Sequence, residues 1–220
     1  MHAVELPVTL ILPPPETKRG EGVHLSGIIR CIATEQGILK PEWAEDLSLS
    51  DVREITDPVA ILRINIGLAW EKHYIPMLGD VVDHPGEMRL DGIYMTHDGE
   101  SVSVIVTDIH QPLALICHEV KATYKSTKTV CNPLIVDTGK ALESNWMWMA
   151  QLKGYCKSLN TRYAMLHVLF LCGDYSFPIK PVLRRWLIEF EQEELDMNWQ
   201  LMVDYMNYRL ACDEEAGRAI

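Results

Sequence analysis

The chain has 220 residues, 48% of them hydrophobic and 23% charged, with a formal net charge of −11. That length and balance suit one domain with a full core of its own, and exclude a disordered or fibrous chain. No run approaches the ~18 uninterrupted apolar residues of a membrane span, and six scattered cysteines without a CxxC pair argue against a zinc or iron–sulfur framework.

In chain order, Val4 to Leu12 alternates like a strand, contains Pro7 and lacks a basic leader, so it does not read as a signal peptide. Several cysteines sit inside apolar runs, as buried free thiols do, which suits a reducing cytoplasm. Pro13-Pro14-Pro15 through Gly22 is a loop. Leu25 to about Gly37 predicts a helix capped by Ser26 and stopped by Gly37. Residues 40–56 are polar and irregular. Asp57-Pro58 then supplies a cap and a proline at the first helical position, opening a helix to His73. Its apolar residues at 61, 64, 68 and 62, 66, 69 spread round much of the surface. Pro76 and Gly79 end it.

From Gly86 the texture becomes β-rich: Met88–Thr96, Ser101–Thr107 and Leu113–Thr123. His97-Asp98-Gly99 and His110-Gln111-Pro112 read as the turns between them. A loop over 124–138 precedes a helix over 139–158. Tyr163–Cys172 is an apolar strand closed by Gly173-Asp174. Lys180 to about Cys212 reads as an acidic helix with a break near Asp196–Asn198. The order (β)ααβββαβα predicts an α/β fold with a mixed central sheet flanked by helices. It forms one domain over 1–220, with a core at about 57–173 and an acidic helical extension at about 180–213.

Charge is unevenly spread. Residues 1–119 carry 8 basic and 19 acidic side chains; residues 120–173 carry 7 basic and 2 acidic; residues 174–220 carry 5 and 10. Only the middle segment would attract a phosphate backbone.

Four features of this segmented chain carry chemistry. On the third strand Glu119 and Lys121 share one face at the C-terminal end, where open α/β sheets place ligands; an ordinary salt bridge is the alternative. Glu71 closes the second helix, with Gly67 one turn earlier able to admit another backbone; without the strand motif it reads first as a solvated helix end. Asp91 lies inside the first strand, where a carboxylate needs a partner such as a metal, or else Asp91-Gly92 is a local bulge. Gln151 and Tyr155, at i and i+4, place an amide and a phenol on one helix face, which also describes a half-buried tyrosine with a polar neighbour.

Glu71, Asp91 in Leu-Asp-Gly, Glu119-Val120-Lys121 and Gln151-x-x-x-Tyr155 together resemble, in order, the motifs of the PD-(D/E)XK nuclease superfamily, in its RecB-like and phage-type exonuclease branch. The resemblance spans about residues 60–160. Leu90 stands where the eponymous proline would be, and 28 positions separate Asp91 from Glu119, more than the family usually shows. Asp108 is therefore a rival for the second acid, although a regular hairpin would leave it some ~20 Å from Glu119.

The resemblance implies a restriction-endonuclease-like core and a metal-dependent deoxyribonuclease, an exonuclease of phage or recombination type. It also implies one or two Mg²⁺ or Mn²⁺ ions held by Asp91, Glu119, the Val120 carbonyl and Glu71. Lys121 would orient or deprotonate water, Gln151 and Tyr155 would shape the site, and Lys125, Lys128, Lys153 and Lys157 would contact DNA. A homo-oligomer or a recombination partner protein, and the cytoplasm of a bacterium or phage-infected host, complete that expectation. The rival reading is a non-catalytic, nuclease-fold subunit that binds DNA or joins an assembly.

Overall fold

The computed structural model describes residues 22–39, 58–79, 81–83, 86–103, 113–130 and 145–215. The strand expected at Val4–Leu12, the Asp57 cap, the 104–107 end of the second β-run and Asp108 lie outside these residues.

A two-residue strand β1 (Val23–His24) leads directly into helix α1 (Leu25–Glu35). His24, in extended backbone, precedes the helix, so Ser26 falls inside the first turn instead of capping it. Gly37 takes φ 70°, and its N–H closes on the Thr34 carbonyl at 3.0 Å. Helix α2 (Pro58–Tyr74) starts on the expected proline and runs on as a 3₁₀ turn (Ile75–Leu78) before Gly79 at φ 73° ends it. Nothing among the described residues lies within 4 Å of where a Gly67 Cβ would sit, so that glycine admits no close backbone.

Two mixed sheets follow, where the alternation of β-rich and helical segments led one to expect a mixed central sheet. The smaller has the order β1-β4-β3, with β3 (Met88–Leu90) and β4 (Ile93–Met95) forming a hairpin. Met88–Thr96 is thus not one strand. Asp91 (φ 49°) and Gly92 (φ 85°) are the two central residues of its turn. Asp-Gly with positive φ at both positions matches the right-handed twist of the flanking strands, and that local preference outweighs strand continuation.

The larger sheet has the order β2-β5-β6-β7-β8, from β2 (Val82–Asp83), β5 (Gly99–Ser103), β6 (Ala114–Thr123), β7 (Tyr163–Phe170) and β8 (Val182–Glu189). Only β6 and β7 are parallel. One helical turn α3 (Thr127–Val130) follows β6, and α4 (Trp146–Ser158) bridges β6 to β7.

Strand β8 corrects the expectation of a helix from residue 180. Its side chains alternate between half-buried and exposed along the whole run. Val182, Trp186 and Ile188 pack inward on the core beside β7. The mixture Val-Leu-Arg-Arg-Trp-Leu-Ile-Glu satisfies either period, and the free edge of β7 selects the strand. The acidic helix α5 (Gln192–Glu215) then runs unbroken through Asp196–Asn198.

Cys117 of β6 and Ala164, Leu166, Val168 and Phe170 of β7 form the floor of the main core, roofed by α4, α1 and α5. Fully buried Leu152, Leu166 and Phe170 each contribute ~1.5–3 kcal/mol of transfer free energy. The opposite face is covered by α2, where Trp70, Tyr74 and Ile75 pack on Val120.

Candidate active site

Strand β6 is buried from Ile116 to Val120 because both of its faces are covered. Alternation turns Cys117, Glu119 and Lys121 toward α4, and His118 and Val120 toward α2. Strand β5 begins at Gly99, paired with His118. In an antiparallel pair the first residue of one strand meets the far end of the other, so Asp98 falls opposite Glu119.

Asp98 occupies the place the β5 ladder vacates: its Oδ2 accepts a hydrogen bond from the Val120 N–H at 2.6 Å. In an extended strand a residue's N–H and C=O leave by the same edge, so the Val120 carbonyl emerges beside this carboxylate. Glu119 is buried to 1% exposure. Its Oε1 accepts from the Lys121 Nζ, and its carboxyl lies within hydrogen-bonding reach of the Asp98 carboxyl. The Lys121 ammonium also donates to Gln151 Oε1 at 3.3 Å, and Gln151 Nε2 donates to the Tyr155 hydroxyl at 2.5 Å.

The charges are mutually dependent. Burial first, then the Asp98 carboxylate, pushes Glu119 up to about 8, against the opposing pull of Lys121. Burial likewise raises Asp98; Lys121 lowers it and the Glu71 carboxylate raises it again. Glu71 also holds the proton on Lys121, together with Glu119 and Asp98, and these outweigh the effect of burial there. Tyr155 is buried near both acids, and its hydroxyl stays protonated. One ammonium therefore faces three carboxyl groups, a local deficit of positive charge that protons on Asp98 and Glu119 make up near neutral pH.

A divalent cation fits that deficit. The ligands on offer are hard oxygens, and the Asp98 and Glu119 carboxyls lie close enough to hydrogen-bond each other. No three acidic, histidine or cysteine side chains among the described residues gather tightly enough to ligate a single ion. Two carboxylates and a backbone carbonyl are what Mg²⁺ ordinarily takes from protein, water and phosphate completing its octahedron.

Asp91 is not part of this group. It sits on the other sheet, in the β3–β4 turn, and its Oδ2 accepts from the Trp199 Nε1 of α5 at 2.8 Å. That bond ties the hairpin to the C-terminal helix, so Asp91→Ala should cost ~1 kcal/mol in chemical denaturation. The same variant should leave divalent-metal affinity unchanged in a Mn²⁺ titration.

The four lysines read as phosphate contacts are engaged elsewhere. Lys153 pairs with Glu194 at 3.0 Å and Lys157 with Asp196 at 2.7 Å, so the acidic start of α5 neutralises the basic face of α4. Lys128 meets Asp174 at 3.2 Å in an exposed pair. Lys125 donates to Asn145 Oδ1 at 2.8 Å and lies 5.0 Å from the Trp148 ring centroid.

Sequence reasoning missed Asp98, because His97-Asp98-Gly99 has the composition of a turn. The signal available was positional: Glu119 lies deep in a long strand, so its antiparallel neighbour must come from the very start of the strand before it. No helix among the described residues is long and apolar enough to cross a membrane.

No protein-family model matches the chain, and no curated protein matches it. Among solved structures it is similar to an alkaline exonuclease from Laribacter hongkongensis, at 14% identity and a TM-score of 0.48, covering 89% of this chain and 91% of that one. The same exonuclease in complex with dAMP aligns at 16% identity and a TM-score of 0.47, over 89% and 93% of the two chains. A phage-related exonuclease from Haemophilus somnus aligns at 14% identity and a TM-score of 0.48, over 84% and 91%.

Proposed function

We propose that this chain is a Mg²⁺- or Mn²⁺-dependent nuclease that hydrolyses DNA phosphodiester bonds, and an exonuclease of phage type. The observation that carries the reading is the adjacent pair of half-buried Asp98 and buried Glu119 beside Lys121. In this reading the motif acid is Asp98, 21 positions before Glu119 where Asp91 is 28 before it.

In this reading Asp98, Glu119 and the Val120 carbonyl hold the ion, and Glu71 adds negative charge at its margin. The bound ion supplies positive charge against the phosphate and acidifies water. Lys121 remains an ammonium between two acids, so it orients the nucleophile and offsets phosphate charge; it is not the base. Gln151 fixes Lys121 through its amide oxygen and is itself held by Tyr155. Lys125 and Lys128, just past the end of β6, are the phosphate contacts, exchanging Asn145 and the exposed Asp174 for phosphate. Lys153 and Lys157, paired with acids of α5, are the weaker contacts.

The test is incubation with end-labelled linear DNA and closed circular DNA in Mg²⁺, Mn²⁺ or EDTA. Release of label from linear DNA alone, abolished by EDTA, is the expected result. Metal-independent DNA binding without cleavage would favour a non-catalytic subunit.

The raised carboxyls set a pH dependence. In the metal-free protein Glu119 holds a proton up to about pH 8. Metal must displace it, so Mn²⁺ affinity should climb with pH between 6 and 9 by up to ~10-fold per unit. The stability sign runs the same way. A carboxyl raised in the folded state stabilises the apo protein fully below its unfolded value, and that contribution is lost as pH rises through 8. Calorimetric melts should therefore show Mn²⁺ stabilising the protein more at pH 9 than at pH 6.

A further inference from the structure

On the face of the sheet opposite Glu119, a row of polar side chains crosses four strands. The Tyr74 hydroxyl of α2 lies 3.0 Å from His167 Nδ1 on β7. His167 Nε2 lies 3.0 Å from His118 Nδ1 on β6, and His118 Nε2 lies 2.8 Å from Ser101 Oγ on β5. Arg185 of β8, paired in register with His167, brings its positive charge near the Tyr74 hydroxyl.

A neutral imidazole has one donor and one acceptor nitrogen. The three bonds of the row therefore run one way, either from Tyr74 through His167 and His118 to Ser101 or the reverse, according to the tautomer that the two imidazoles share. Burial keeps both imidazoles uncharged, holding His118 down to about 4 and His167 to about 3. The two ring planes lie within 17° of each other with centroids 5.2 Å apart, as an N–H···N bond between ring edges requires.

Helix α2 needs such an anchor. Of its described side chains only Ile61 and Tyr74 are buried, so apolar contact restrains its rotation weakly. Glu71 stands one turn before Tyr74, on the same side of the helix. A hydrogen-bonded row with one polarity fixes helix rotation and height where a greasy contact would slide.

We infer that the row Arg185–Tyr74–His167–His118–Ser101 positions α2, and through it Glu71, for divalent-cation binding at Asp98 and Glu119. The row touches neither ion nor substrate; its members are positioning residues. The inference rests on the metal-site reading above.

The experiment is a Mn²⁺ titration of the full chain without DNA, followed by electron paramagnetic resonance, with melting temperatures recorded in parallel. Tyr74→Phe keeps the ring and removes only the hydroxyl; it should weaken Mn²⁺ binding ~10-fold. Glu71→Gln should weaken it to a similar degree, and the double variant should be no worse than Glu71→Gln alone. Ser101→Ala, at the partly exposed end of the row, repeats the test with less risk to folding and should give a smaller loss in the same direction. A melting-temperature drop with unchanged Mn²⁺ affinity in Tyr74→Phe and Ser101→Ala would overturn the positioning role. So would additive losses in the double variant. Glu119→Gln separates the two claims: if it binds Mn²⁺ normally, the metal site itself is wrong and the inference falls with it. If it abolishes binding while Tyr74→Phe does not affect it, the positioning role alone fails.

Discussion

Asp98→Asn should reduce Mg²⁺-dependent cleavage of linear DNA by at least ~100-fold, while Asp91→Asn stays near wild type. The contrast follows from where the backbone puts each acid. Asp98 lies opposite Glu119 and bonds the Val120 N–H at 2.6 Å, just where β6 begins to run past the start of β5. Asp91 lies in a hairpin turn and serves Trp199. The asparagine at 98 keeps an oxygen acceptor for the Val120 N–H, so folding is spared and the missing charge is the only large change. Single-turnover assays on end-labelled DNA, with melting curves for both variants, make the comparison. A fully active Asp98→Asn protein would remove the second acid from this site.

Lys121→Ala should lower kcat by ~10²–10³-fold with little change in KM, because the ammonium acts on charge that develops during the reaction. Lys121→Arg should not restore activity, since a planar fork does not replace a compact point charge between Glu119 and Gln151. The stability effect should depend on pH. Removing the lysine leaves a buried carboxyl without its cation, and an unpaired buried charge costs ~3–5 kcal/mol. Glu119 avoids that cost by taking a proton, which it does readily below about pH 8. Lys121→Ala should therefore melt close to wild type at pH 6 and well below it at pH 9. Equal destabilisation at both values would contradict a protonatable Glu119.

The expectation that Glu119 and Lys121 share one strand face needed only the period of a β-strand, and the structure places both on the α4 side of β6 with an ion pair between them. The start of α2 at Pro58, the extent of β6 and the mixed sheet with helices on both sides were legible for the same reason. Proline geometry and side-chain alternation are local, and a single chain displays them openly.

Other features depended on which segments meet. Asp91-Gly92 and Asp98-Gly99 are the same dipeptide seven residues apart, yet one turns a hairpin and the other opens a strand against Glu119. Residues 182–189 fit either period until the free edge of β7 makes a strand of them. The basic stretch on α4 looked open to phosphate, but the acids of α5, some 40 residues later, fold onto it. The sequence by itself determined the acid–lysine pair and the kind of fold that carries it. Only the tertiary structure decided which aspartate faces that pair and which lysines are paired with acids, because strand register and helix docking are set by contacts between residues far apart in the chain.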